Sequence, residues 1–486
     1  MIPTFSQHFT WLSMLRNLRY FTIRVLLLTL GYSLSYEASA IQIQAPTKLP
    51  NIVYIMADDM GWRDLGVTGS QYYETPAIDK LAQEGLRFEN AYASAPVCAP
   101  TRAALMTGKS PAQLHLTAVF DRDRGKMPLL PPNWKNELPL EEVTIADRLK
   151  AVGYRTAIMG KWHLGLTEVM WPKARGFDVN VAAWASGRPD SYFAPYNNPK
   201  LKDGPDGEYL TRRIAGEAVD FIKENRDSTF FLYLPFYSPH APLEAPEETI
   251  ARFQDKEPDG KQANPAYAAM IHELDKAVGA VVKTLEDEGL SDNTIVVFTS
   301  DNGGILTLWD LKITDNAPLR AEKFLLYEGG IRVPMIVKWP GHTPAGEVTS
   351  QLAISHDMVP TLMSMIGHPV LGNQLEGRDL TPVLKNGERA TFPRMLTWHY
   401  PHYMPRQDMR PSSAIRIGDY KLIHWHESHR IELYNLSDDI GEVNNLSASQ
   451  PEVAAGLYEQ LDNWRKEIGA QMPVPNPTFT PKHAEE

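Results

Sequence analysis

The sequence predicts an α/β fold built on a mostly parallel central sheet, and three observations predict it. Four short runs, at residues 52–56, 154–159, 230–234 and 294–299, read as buried-type strands, and the first, Ile52-Val53-Tyr54-Ile55-Met56, is continuously apolar, the pattern of a strand covered on both faces. Between 265 and 288 the apolar residues Tyr267, Ile271, Leu274, Val278, Val281 and Leu285 recur every four or three positions, which describes one face of a helix. Strand-like and helix-like segments alternate along the chain, as they do where helices cover a parallel sheet.

Each strand runs into residues that carry chemistry. The first leads to Asp58-Asp59, the second to Gly160-Lys161-Trp162-His163, the third to Ser238-Pro239-His240, and the fourth to Asp301-Asn302-Gly303-Gly304. Ligands of open α/β sheets bind beyond the carboxyl ends of the strands, so these distant endings can converge. Thr75-Pro76 suits a helix start, with Thr as cap and Pro at the first helical position, and Gly85 suits its stop. From about residue 390 the pattern changes to a hairpin-like pair at 420–425 and 430–434, an amphipathic helix at 452–468, and a Pro-rich end after Met472 that reads as a loose tail. The expected division is a leader over 1–40, a major domain over 41–390, and a smaller α+β subdomain with an antiparallel sheet over 391–486.

The 486 residues, 43% of them hydrophobic, are enough for a large core. Arg16, Arg19 and Arg24 precede the apolar run 25–30 and then Ala38-Ser39-Ala40, the form of an export signal cleaved after Ala40. The run is too short to span a bilayer comfortably, so no stable membrane insertion is expected. Export to a periplasm or the medium follows. Removing residues 1–40, with those three arginines against Glu37, takes the net charge from −11 to −13. An acidic chain excludes nucleic acid as the expected partner and requires any anionic substrate to be held by a local group of cations.

The chain has one cysteine, so an internal disulfide is excluded. It stands in Cys98-Ala99-Pro100-Thr101-Arg102, followed by Ala103-Ala104-Leu105-Met106-Thr107-Gly108. Cys-x-Pro-x-Arg before a small-residue helical stretch resembles the signature of the formylglycine-dependent sulfatases. The likeness extends from Pro50 to about Leu446 and takes in Gly160-Lys161-Trp162-His163-Leu164-Gly165, Ser238-Pro239-His240-Ala241-Pro242-Leu243 and the segment from Lys323 to Glu328-Gly329-Gly330-Ile331-Arg332-Val333-Pro334.

The resemblance implies an alkaline phosphatase-like α/β/α sandwich and conversion of Cys98 to formylglycine by a formylglycine-generating or anaerobic maturation enzyme. Asp58, Asp59, Asp301 and Asn302 offer hard oxygen ligands, suited to Ca²⁺ or Mg²⁺. In the family the matching residues hold calcium, which also touches residue 98. Lys161, Lys323 and Arg102 are the expected cations around the sulfate. His163 is assigned to the formylglycine hydroxyl and His240 to the bridging oxygen of the leaving alcohol. By the same resemblance, hydrated formylglycine attacks sulfur, and its second hydroxyl then expels sulfate by C–O cleavage and regenerates the aldehyde.

The motifs specify the sulfate and not the alcohol. Trp398-His399-Tyr400-Pro401-His402-Tyr403 is aromatic and histidine-rich, so His399 and His402 are expected to recognise a sulfated hexose such as galactose or N-acetylgalactosamine. A structural strand and turn is the other reading of that segment. A second metal on His424 and His426, which share one face of a strand, is a minor alternative. The expected function is an exo-acting sulfatase of a sulfated carbohydrate. The alternatives are a broad arylsulfatase, a formylglycine-dependent phosphodiester or phosphonate hydrolase, and an inactive sulfated-glycan binding protein.

Overall fold

The first apolar run becomes the middle of a sheet. The computed structural model describes residues 48–119, 127–308, 310–372, 375–390, 392–404 and 409–480, and the expected leader lies outside them. Leu49–Glu486 forms one compact unit. In chain order the sheet strands are β1 (Asn51–Ala57), β2 (Leu86–Phe88), β3 (Arg155–Met159), β4 (Val179–Val181), β5 (Phe230–Pro235), β6 (Thr294–Ser300), β7 (Met335–Lys338) and β8 (Val348–Thr349). Among the described residues they form one eight-stranded sheet ordered β8-β2-β7-β6-β1-β5-β3-β4. β1 pairs in parallel with β5 and β6, with Ile55 opposite Leu234 and Phe298. β7 runs antiparallel to both of its neighbours.

Successive side chains of β1 point to opposite faces, and both faces are covered. Val53 and Ile55 pack with Ile78 and Leu81 of α1 (Pro76–Glu84), Ile214 and Phe221 of α3 (Leu210–Glu224), and Ile271 and Leu274 of α4 (Pro265–Asp287). Ile52, Tyr54 and Met56 pack with Ala103 and Met106 of α2 (Cys98–Thr107) and with Leu362 of α5 (Met358–Met365). This is the expected three-layer sandwich. Thr75 precedes α1, but its hydroxyl donates to Asp79 Oδ1 at 3.0 Å and makes no cap to the helix backbone.

The C-terminal part carries a four-stranded antiparallel sheet of β9 (Met395–Tyr400), β10 (Ser412–Ile417), β11 (Tyr420–Trp425) and β12 (Ile431–Asn435). One face packs Ile415, Leu422 and Leu433 against Leu457, Leu461 and Trp464 of α6 (Pro451–Glu467). The other packs Trp398, Ala414, Ile423 and Trp425 against Leu326, Tyr327 and Ile331. That second face fixes the segment following Lys323. A buried ion group reinforces it, with Lys421 Nζ 2.8 Å from Glu328 and 2.9 Å from Glu442. Part of the tail after Met472 is held: Val474–Pro475 pairs with Leu129–Leu130, and Asn476 N–H donates to the Pro128 carbonyl at 2.9 Å. Backbone pairing, invisible to composition, orders it.

Candidate active site

The strand endings converge. Asp58 and Asp59 follow β1, Asp301 and Asn302 follow β6, Lys161 and His163 follow β3, and His240 follows β5. Lys161 reaches its place because Gly160 takes φ +125° and passes so close to β5 that a Cβ there would lie 2.0 Å from the Pro235 carbonyl oxygen. Cys98 is the first residue of α2, two positions before Pro100, and is 3% exposed.

The acids and bases are interlocked. Lys161 Nζ lies 2.8 Å from Asp58 Oδ2, and Lys323 Nζ lies 2.5 Å from Asp59 Oδ1. Arg102 Nε donates to Asp301 Oδ2 at 2.8 Å, and its Nη1 donates to the Lys161 carbonyl at 3.2 Å. Arg102 is 1% exposed; its Nε and Nη1 hold Asp301 and the Lys161 loop, and its Nη2, 2.8 Å from Asp301 Oδ2, makes no hydrogen bond. Asn302 Nδ2 donates to Asp59 Oδ1 at 2.8 Å. Burial first, opposed by Lys161, pushes the Asp58 carboxyl up to about 8. Burial acts the same way on Asp59, but Lys323 and then His240 outweigh it and hold that carboxyl well below the usual range.

Two histidines flank residue 98 and the carboxylates. His163 Nδ1 is 3.5 Å from Cys98 Sγ, and His240 Nε2 is 3.5 Å from Asp59 Oδ2. His240 Nδ1 faces the Ala241 carbonyl at 2.7 Å; a carbonyl only accepts, so Nδ1 carries a proton and Nε2 is the exchanging atom. Burial, with Lys161 and Arg102 adding, holds His163 well below its ordinary value. Burial likewise lowers His240 to about 4 although Asp59 opposes it. The Cys98 thiol is raised by burial, against the pull of Lys161 and Lys323.

The donor set fits a hard divalent cation. Ligand atoms of Asp58, Cys98 and Asp301 lie within 4.8 Å of one another, as do those of Asp58, Asp59 and His240. Asp58 Oδ1 and Asn302 Oδ1 are buried oxygens without a hydrogen-bond partner, the kind of atom that a cation satisfies. As ligands of a divalent ion all three carboxyls, Asp58 included, would be ionised and would balance Lys161, Lys323 and Arg102, so the ion's own charge would leave the pocket positive and receptive to a sulfate ester.

His399 and His402 do not join this group. His399 is 4% exposed and bonds to Ser413 Oγ at 2.7 Å and the Gln471 carbonyl oxygen at 2.9 Å. His402 is 2% exposed, bonds to Thr117 Oγ1 at 2.8 Å, and meets the Trp134 ring edge-on. Both imidazoles are buried and engaged by protein partners, so their placement gives the expected sugar contact no support. His424 and His426 form no metal cluster among the described residues, and Arg465 Nη1 approaches His424 Nδ1 at 3.2 Å, where a cation ligand would need a free lone pair.

Two contributors escaped the sequence reading. The loop at 184–188 covers His163, whose N–H donates to the Trp184 carbonyl at 3.2 Å, and a Cβ on Gly187 would stand 2.4 Å from the His163 ring. Asn316 Nδ2 lies within hydrogen-bond distance of the carbonyls of Gly304, Ala321 and Gly329, tying the Lys323 segment to β6. A glycine or asparagine in a loop gives no sequence signal of such a role.

Comparison with known proteins agrees with this geometry. Residues 50–368 match the sulfatase family model, and residues 321–467 match a model described as N-sulphoglucosamine sulphohydrolase, C-terminal. A sulfatase of Formosa agariphila is 34% identical, over 85% of this chain and 88% of that protein. The N-acetylgalactosamine-6-sulfatase of Mus musculus is 33% identical, over 82% and 76%. The crystal structure of Ps i-CgsB in complex with k-i-k-neocarrahexaose superposes with a TM-score of 0.72 at 30% identity, covering 90% of this chain and 96% of that one. Such enzymes use a formylglycine and a divalent metal ion, and the buried Cys98 beside an acidic cluster is consistent with both. The chain therefore belongs to the sulfatase family and is a sulfuric ester hydrolase of the alkaline phosphatase-like fold.

Proposed function

We propose that the protein is an exported, exo-acting carbohydrate sulfatase that removes sulfate from galactose or N-acetylgalactosamine units. The observation that carries the reading is the meeting of Cys98, two histidines, two lysines and four oxygen-bearing ligand residues at one end of a parallel sheet. The sugar class rests on relatives that are named N-acetylgalactosamine-6-sulfatases and on a structural neighbour crystallised with a neocarrahexaose. A terminal sugar reaches so buried a pocket more readily than an internal one, which favours exo action.

Asp58, Asp59, Asp301 and Asn302 would hold Ca²⁺, whose chemistry there is to lower the pKa of a bound hydroxyl and to neutralise sulfate oxygens. Cys98, matured by a formylglycine-generating or anaerobic enzyme, would supply a geminal diol as nucleophile. Lys161 and Lys323 grip the sulfate oxygens, each exchanging part of its carboxylate contact for the anion. Arg102 acts as a positioning residue through Asp301 and the Lys161 carbonyl. His240, its Nδ1–H held by the Ala241 carbonyl, would take up a proton at Nε2 as the sulfate anion enters and pass that proton to the departing alcohol, and His163 accepts a proton at the hydroxyl of residue 98. Residues 1–40 direct the chain out of the cytoplasm.

The test is turnover on defined mono-sulfated galactose and N-acetylgalactosamine, with matched aryl sulfate and aryl phosphate as comparators. Preference for a sugar sulfate supports the reading. Turnover of the aryl phosphate above every sulfate would replace it with phosphoester hydrolysis.

A further inference from the structure

A second cleft, of about 530 Å³, opens between the 320–327 segment and the tip of the β11–β12 hairpin. That volume lies in the range of small-molecule sites. Its lining includes Arg320, Arg410 and Arg430, with Glu322, Glu427 and Trp425. Three arginines stand in the lining against two carboxylates, Glu322 and Glu427, a surplus of one positive charge in a chain of net charge −11, and Glu432 pairs with Arg430. The cleft adjoins the sulfate pocket along the chain: Glu322 lines it, and the next residue, Lys323, is the cation on Asp59.

The arginines are held ready. The Arg320 guanidinium lies 3.9 Å from the Tyr327 ring centre and donates through Nη1 to Tyr434 Oη and the Glu442 carbonyl. Arg430 lies 5.3 Å from the Trp425 ring centre and pairs with Glu432 at 2.8 Å, and Arg410 donates to Glu427 at 2.7 Å. A guanidinium has five N–H donors in a rigid fork, and these contacts engage a minority of them. Trp425 is 4% exposed, and its indole N–H has no hydrogen-bond partner. Guanidinium forks with unused N–H donors beside two carboxylates match a ligand that has an anionic substituent and hydroxyl groups together.

We propose that this cleft binds an anionic sugar unit, bearing a sulfate ester or a uronate carboxylate, next to the unit whose sulfate is removed. The proposal rests on the carbohydrate sulfatase reading above. It makes the preferred substrate an oligosaccharide with charge on successive units, and it gives the hairpin tip a specificity role.

The test has two parts on the full-length protein. Binding is measured with an unsulfated chondroitin hexasaccharide, which carries only carboxylates, a carrageenan hexasaccharide, which carries only sulfates, and a neutral agarose hexasaccharide. At least one anionic probe should bind at least tenfold tighter than the neutral one, and which one binds identifies the source of the charge. The pair Arg410→Ala with Arg430→Ala, and separately the charge-adding Ser428→Glu, should weaken that probe at least tenfold. Neutral and anionic probes binding alike, or both variants binding like wild type, would overturn the proposal. In the second part, the ratio of kcat/KM on a sulfated oligosaccharide to kcat/KM on an aryl sulfate should fall at least tenfold in both variants; an unchanged ratio contradicts it. Absence of all sulfate turnover in the wild type would refute the parent reading alone, because the uronate probe reports on the cleft without the sulfate pocket.

Discussion

Cys98 Sγ and His163 Nδ1 lie 3.5 Å apart although 65 residues separate them in the chain. The contact joins the start of α2 to the loop after β3, and everything proposed for the nucleophile depends on it. Replacing His163 with Ala should lower kcat by roughly 10²–10⁴-fold, the usual worth of a positioned acid or base. Steady-state kinetics beside a thermal melt would separate this from unfolding. A loss below threefold would remove His163 from the proton path.

His240 should matter in proportion to the leaving group. An aryl alcohol departs without much help and a sugar alkoxide does not, so His240→Ala should reduce kcat/KM on a sugar sulfate by about 10²-fold or more and on an activated aryl sulfate far less. Equal losses on both substrates would mean that His240 binds and does not protonate.

The cation should be readable without turnover. A ligand present at 100 times its Kd adds about 2.7 kcal/mol to the folded state. Chelator-treated protein should therefore melt lower, and Ca²⁺ should restore the midpoint. Asp301→Asn and Asn302→Ala should each blunt that rise. A calcium-induced rise undiminished in both variants would place the ion elsewhere.

The 184–188 loop gives a local steric prediction. Gly187→Ala puts a methyl 2.4 Å from the His163 ring, so the ring or the loop must move. Activity should fall about tenfold or more while the melting midpoint changes by only a few degrees, since a displacement near 1 Å in a catalytic group can cost on the order of 10²-fold. Wild-type kcat would show that the loop yields freely.

The histidine packing of the C-terminal sheet should make the fold acid-sensitive. Burial lowers His399 to about 4, and burial together with His399 and His424 lowers His426 to about 2. Arg465, His424 and His429 face the pair, and Ser413 Oγ bridges it. Unfolded histidines take a proton near 6.5, so below that pH the unfolded chain binds protons that the folded one refuses. Stability is full above about 6.5 and falls by about 1.4 kcal/mol per pH unit for each such histidine as pH drops toward the folded values. Urea midpoints at pH 7 and pH 5 should differ, and the difference should shrink in His399→Gln with His426→Gln. An equal midpoint at both pH values contradicts this account.

Much of the frame was legible before any coordinates. The strands at 51–57, 230–235 and 294–300 declare themselves because both faces are buried, which leaves the middle of each run apolar and confines polar residues to its ends. The 265–287 helix declares itself by its period. The candidate cluster was legible because its members sit in motifs at strand ends. The surroundings of His399 and His402 were not legible, because an aromatic, histidine-rich strand looks the same whether its side chains face a sugar or a core; the Ser413 and Thr117 bonds show where the rings sit. The tail failed for a related reason, since a two-residue pairing with 129–130 is a backbone event without a side-chain pattern. Gly187, Asn316 and the arginine cleft join residues from separate segments, and no single stretch of sequence contains them.

The central claim is that residue 98 acts as an aldehyde and not as a thiol. Peptide mass spectrometry of the purified enzyme across preparations of differing specific activity addresses it directly. The fraction of the Cys98 peptide lighter by about 18 Da, the change from thiol to aldehyde, should rise in proportion to activity. Full activity in protein whose Cys98 remains entirely an unmodified thiol would contradict it.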